Sequence, residues 1–195
     1  MVTLVDMEPS FRWYAVVSST MPLEQGDLLD NFPIVIPPAS IAEVLDEPIG
    51  YEIEASSTVE RFNVIVMTQS CDLIKLGQED EVILCPRHGY LELVAERPKF
   101  GGRDGWKKLI DGRFIGAHII NKCDVEVMNF DYQVIDLQRI FSVPLAIVNQ
   151  VAANQGDRVR LLPPYREHLA QAFARQFMRV GLPVDLPQEY PSRIP

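Results

Sequence analysis

The segment Thr68-Gln69-Ser70-Cys71-Asp72 groups a thiol, two hydroxyls and a carboxylate within five residues. It directly follows Phe62-Asn63-Val64-Ile65-Val66-Met67, a run apolar enough to be a strand buried on both faces. Polar groups at the end of such a strand are held firmly by the scaffold. Cys71 is therefore a candidate nucleophile if Arg61, Arg87 or His88, on the neighbouring strands, lowers its pKa, with Asp72 orienting a base. The alternative is a structural turn, whose Thr, Ser and Asp side chains satisfy local backbone groups while the thiol packs as a small apolar group.

A second group of residues points to binding rather than bond breaking. Between Arg97 and Arg113 six cations (Arg97, Lys99, Arg103, Lys107, Lys108 and Arg113) interleave with Phe100, Trp106 and Phe114. Cations neutralise phosphates and aromatic faces stack on bases, so Lys99, Arg103, Trp106, Lys107, Lys108 and Arg113 form a candidate nucleic-acid surface. The opposing expectation is that the aromatic residues anchor a loop while the charges stay in water. Cys71, Cys85, Cys123, His88, His118 and His168 show no C-x-x-C or H-x-x-x-H spacing, so no metal site and no cofactor are expected. Glycine-rich phosphate loops, G-x-S-x-G elbows and H-E-x-x-H helices are also absent from the sequence.

The elements that must position these residues are mostly short strands. Arg12 to Val17 reads as a strand, Gly26-Asp27-Leu28 opens another, and Glu81 to Pro86 is a strand ended by its proline. Tyr90 to Ala95 is a strand or a helical turn, Phe100 to Trp106 a glycine-punctuated loop, and Phe114–Ile120, Val125–Phe130 and Tyr132–Leu137 are further strands. Pro33, Pro37, Pro38 and Pro48 break up the first quarter, and Ser40 to Leu45 is long enough for one helical turn. From Tyr165 to Val180, Leu169, Phe173, Phe177 and Val180 mark one face of an amphipathic helix that Pro163-Pro164 opens and Gly181 and Pro183 stop. This pattern predicts a mainly β (α+β) domain spanning 1–195, a small, bent or barrel-like β-sheet with a C-terminal helix packed on it. Its parts are a proline-rich, loop-rich stretch over 1–60, a β core over 61–160 and the helix over 163–181.

The 195 residues, 47% hydrophobic and 23% charged, fit one globular domain and not a disordered tail. No apolar run is long enough to span a bilayer, the N-terminus lacks a signal-peptide layout, and three unpaired cysteines suit a reducing compartment. A cytoplasmic protein with no membrane partner is expected. The net charge of -9 opposes indiscriminate coating of nucleic acid. That charge is segregated: residues 1–80 carry -11, residues 81–157 carry -1, and residues 158–195 carry +3.

Gly26-Asp27-Leu28, the run VIVMTQSCDL from Val64, EVILCP from Glu81 and IDLQRIFSVP from Ile135 together resemble uncharacterised bacterial proteins with an SCD turn. Those proteins look like distant relatives of the PemK/MazF toxin superfamily, and the likeness covers roughly residues 24–180. The resemblance implies a PemK-like SH3-like barrel and, in the toxins, RNA cleavage by an arginine beside the first core strand and a hydroxyl after the second. Arg61 falls where that arginine would be, but Cys85-Pro86-Arg87-His88 offers no hydroxyl, which argues against the nuclease. The expectation is a non-catalytic binding module of a bacterial multicomponent or mobile-element-associated system, docking a protein partner or nucleic acid, with a homodimer as a further possibility. The alternatives are a metal-independent endoribonuclease of the kind the resemblance implies, in which Arg61 or Arg87 would stabilise the pentacoordinate phosphate while His88 or Asp72 transfers protons, and a thiol-dependent enzyme using Cys71.

Overall fold

Residues Val64 to Met67 alternate between two hydrophobic layers, and this alternation organises the molecule. Val64 and Val66 join one cluster with Leu29, Phe32, Leu84 and Val148, while Ile65 and Met67 join another with Leu28, Cys85, Ile135, Leu161 and Leu169. A strand flanked by both clusters has no face left for polar side chains, which is why its sequence is nearly continuous in apolar residues. The computed structural model describes residues 11–37 and 57–178. The helical turn expected over Ser40–Leu45, the breaks at Pro38 and Pro48, and the Gly181 and Pro183 stop lie outside the described residues.

The strands are β1 (Tyr14–Val17), β2 (Leu28–Ile36), β3 (Thr58–Val66), β4 (Glu81–Gly89), β5 (Ala117–Ile120), β6 (Cys123–Val125), β7 (Met128–Phe130), β8 (Gln133–Asp136), β9 (Phe141–Pro144) and β10 (Arg158–Leu161). The α-helices are α1 (Ser70–Leu73), α2 (Tyr90–Glu96), α3 (Gly102–Ile110), α4 (Leu145–Gln155) and α5 (Tyr165–Phe177), with a 3-10 turn at Pro98–Phe100. The main sheet runs β2-β3-β4-β8-β5 with β9 also on β4; β1 pairs β10, and β6 pairs β7. The ladders are antiparallel, and the chain is a mixed α and β protein with five α-helices among the described residues, where one had been expected. Across the interval between β5 and β1, Tyr14 Oη donates to the Asn121 carbonyl at 2.5 Å. No helix among the described residues is long and apolar enough to cross a membrane.

Pro33 does not break the chain as expected, because β2 runs through it as an edge strand of the main sheet, where a missing N–H is tolerated. Four further local expectations need correction. Pro86 does not end β4, which continues to Gly89. Residues Glu81–Leu84 pair with β9 and Arg87–Gly89 pair with β8, so Pro86 falls between the two ladders, where the strand changes partners and its missing N–H costs nothing. The stretch expected to be a glycine-punctuated loop is the 3-10 turn followed by α3. Gly105 serves close packing here: a Cβ on it would stand 2.5 Å from the Phe100 carbonyl. Val125–Phe130 is not one strand but the last residue of β6, the turn and the whole of β7 in the β6–β7 hairpin.

The fourth concerns α5. Leu169 is fully buried and Phe173 partly so, but Phe177 is 63% exposed. With 3.6 residues per turn, each step of four advances about 40° beyond a full turn, so a residue eight positions on has rotated off the buried face, and Ala172 takes the inward position instead.

Candidate functional site

The bend in β4 opens a cleft. β3 and β4 are paired at Val64–Pro86, Ile65–Cys85 and Val66–Leu84, and the ladder stops there. Beyond it the two strands diverge, leaving Arg61, Phe62 and Asn63 on one wall and residues 87–92 on the other, with Trp106, Phe130 and Tyr132 closing the groove. The cleft encloses about 790 Å³. Trp106, from α3, stands between Tyr90 and Tyr132 with ring centroids 4.9 Å from each, edge to face. Such contacts fix the rings in place.

Arg87 is built into this cleft from behind. Its guanidinium donates to Asp30, to Gln133 Oε1 at 2.5 Å and to the Val64 carbonyl at 3.3 Å, and lies 5.5 Å from the centre of the Phe130 ring. Asp30 reaches it because the β2–β3 register slips between Leu29 and Phe32, where Asn31 takes a positive φ of 52°. Burial pulls the Arg87 pKa below its ordinary value, and Asp30, Tyr14 and Cys123 pull it back. Arg61, on the opposite wall, is exposed and donates to the Asn31 carbonyl at 3.0 Å. His88 follows Arg87 in the strand, also lines the cleft, and feels the charges of Asp136, Arg97, Glu96 and Arg139. Burial foremost lowers its pKa, and its buried Nε2 has no hydrogen-bond partner among the described residues.

The SCD turn is elsewhere. Cys71 and Asp72 lie in the single-turn helix α1, past the end of β3 opposite the cleft. Cys71 is exposed, its Sγ 3.7 Å from Gln69 Oε1, and Asp72 pairs with Lys75 at 3.2 Å. Thr68 Oγ1 accepts the Ile83 N–H at 2.8 Å and Ser70 Oγ accepts that of Gln25 at 3.2 Å, so these hydroxyls stitch the turn to β4 and to the segment before β2. Cys85 and Cys123 are buried, and burial pushes the Cys85 thiol up to about 12.

The basic stretch divides. Trp106 faces the cleft with Arg103 close to the same helical stripe, whereas Lys108 pairs with Asp104 at 2.6 Å and Lys107 with Asp111 at 3.9 Å. Arg113 also binds Asp111, at 3.0 Å, and Lys99 lies over Phe100, whose ring is buried against Phe114.

On the far side of Trp106 and Tyr132 lies a second cavity, of about 460 Å³, where α3, β5 and α5 meet. His118 of β5 lines it. Burial first, then the neighbouring His168 and Arg175, hold its pKa down to about 4. The unfolded chain binds a proton at this side chain below about pH 6.5, while the folded protein does not until about pH 4. The associated stability is complete above pH 6.5 and falls by roughly 2–3 kcal/mol as the pH drops through that window. His118→Gln should flatten the urea midpoint against pH between 6.5 and 4; an unchanged slope would place the proton uptake on other groups.

Asp30, Gln133, Tyr90, Phe130 and Tyr132 belong to the cleft although nothing in their spacing marks them. They come from five separate elements or turns, and only the β2 irregularity and the β4 bend bring them together. Among the described residues no group of three His, Cys, Asp or Glu side chains could hold a metal ion. Fold and site together define a mixed α and β protein, mostly antiparallel, with an aromatic cleft beside a bent central strand. No protein-family model and no curated protein matches the chain.

Proposed function

We propose that the protein is a non-catalytic binding module, a PemK-like barrel variant that takes a short single-stranded nucleic-acid segment in the β3–β4 cleft. The observation that supports this most is the fixed row Tyr90, Trp106 and Tyr132 beside the exposed Arg61. Bases stack on aromatic faces for about 1–3 kcal/mol each whatever their sequence, and an exposed guanidinium beside them meets the phosphates. The antiparallel order β2-β3-β4-β8-β5, with β10 bridged to the residue before β2 through Asp27 and Arg160, is compatible with a barrel-like reading. A binding role fits better than cleavage because Arg87 is already paired with Asp30. The net charge of -9 limits such binding to a short local segment, and the contact of Arg61 with phosphates makes it weaken as bulk salt rises.

Fluorescence titration with short single-stranded RNA and DNA tests the proposal. Binding should weaken with salt, and Trp106→Ala should weaken it about 5- to 150-fold, the equivalent of one lost stacking contact. Absence of binding to either strand in low salt would overturn the nucleic-acid role and leave a protein ligand for the same cleft.

A further inference from the structure

The second cavity joins two features that rarely meet by packing alone. One wall is aromatic: Trp13 lies flat on Tyr165, centroids 3.5 Å apart and planes within 7°, with Trp106 and Tyr132 also lining the space. Another wall carries one guanidinium and two imidazoles. His118, His168 and Arg175 come from β5 and α5, and among the described residues none of the three side chains has a hydrogen-bond or ion-pair partner. Asp111, the carboxylate lining the cavity, is engaged by Lys107 and Arg113. A volume of about 460 Å³ lies in the range of small-ligand sites, which are mostly apolar with a few convergent polar groups.

From these observations we infer that the cavity between α3, β5 and α5 binds a small planar aromatic molecule carrying an acidic group. The ring lies against the aromatic wall, and the acid accepts hydrogen bonds from Arg175, His168 and His118. Each part answers a requirement of the site: a flat apolar body fills the space between the rings, and an anion satisfies three unpartnered nitrogen groups that water alone would otherwise solvate. A neutral aromatic would leave the Arg175 guanidinium unpaired, and an aliphatic acid would forgo the stacking surface. The acid is a carboxylate or a phosphate monoester, both of which suit a guanidinium beside imidazoles. The inference does not depend on what the β3–β4 cleft binds.

Calorimetry on the full chain with 2-naphthoate, its neutral amide 2-naphthamide, and adenosine monophosphate tests it. Binding of 2-naphthoate at least tenfold tighter than the amide is expected, and Arg175→Gln should remove most of that difference while leaving amide binding within twofold. Tighter binding of the nucleotide than of naphthoate, competed by inorganic phosphate and lost in Arg175→Gln but not in Arg61→Gln, would support the site with a phosphate as its acid; nucleotide binding unchanged in Arg175→Gln would count against it. Equal binding of acid and amide, an Arg175→Gln variant that binds naphthoate like the parent, or no heat from naphthoate and nucleotide at millimolar concentration would overturn the inference. Arg175 is exposed, so its replacement tests charge without disturbing the core.

Discussion

Replacing Asp27 by alanine is expected to destabilise the protein by about 3–5 kcal/mol, the cost of leaving a buried charge without its partner. Asp27 is fully buried and accepts from Arg158 Nε at 2.7 Å and from Arg160 Nε at 2.5 Å, both arginines being nearly buried themselves. Glu24 adds a contact to Arg160 at 2.5 Å and reaches Arg166 at 3.4 Å. Burial works against the Arg160 charge, yet Asp27 and Glu24 outweigh it and its pKa is raised. Arg158 has a further task, donating to the Met21 and Pro22 carbonyls at 2.9 and 2.8 Å, so converting all three residues to apolar ones should not restore stability: it orphans those carbonyls. Asp27→Asn should fall between wild type and Asp27→Ala, since it keeps the shape and one acceptor but not the charge. Urea unfolding measures all three. A midpoint for Asp27→Ala equal to that of the parent would show that the network contributes no coupling between the chain's early and late segments.

Leu169→Ala should cost about 2–5 kcal/mol, a fall in melting temperature on the order of 10 °C, because Leu169 is fully buried between α5 and the sheet. Phe173→Ala should cost less than a fully buried aromatic would, and Phe177→Ala should stay within about 0.5 kcal/mol of the parent. Thermal unfolding of the three single variants gives the order directly. If Phe177→Ala melts lowest, α5 docks through the stripe of every-fourth residues that the sequence first suggests, and the side chain exposed here is covered by something else.

The buried strand around Val64 was legible because burial on both faces leaves an unmistakable apolar run, and α5 because its period changes. α4 was missed although Leu145, Val148 and Ala152 hold its buried face and Gly156, at φ 86°, follows it. Its start is masked by β9, whose last residue, Pro144, sits directly before the helix. The charge map carried real information: the acidic front supplies Glu24 and Asp27, and the basic end supplies Arg158, Arg160 and Arg166 to meet them. The Gly26-Asp27 pair gained a structural meaning, since Gly26, at φ 90°, donates to the Val66 carbonyl and accepts the Leu161 N–H, both at 2.9 Å. The cleft was only partly legible. Arg61, Arg87 and Trp106 stood out by type, but their convergence depends on a register slip and a bend that leave no periodic trace.

The pairing of β1 with β10 and of Asp27 with Arg158 also sets an order of events during synthesis. Asp27 and Arg158 are separated by 131 residues. At 5–20 residues per second, the ribosome delivers the arginine roughly 7–26 s after the aspartate. Throughout that interval β1 has no ladder partner and Asp27 keeps its hydration, so the early segment waits, unsatisfied, for the last strand to emerge. A nascent chain halted before residue 158 lacks both arginines that Asp27 needs and should remain protease-sensitive around β1, whereas release of ten further residues, through β10, should protect it.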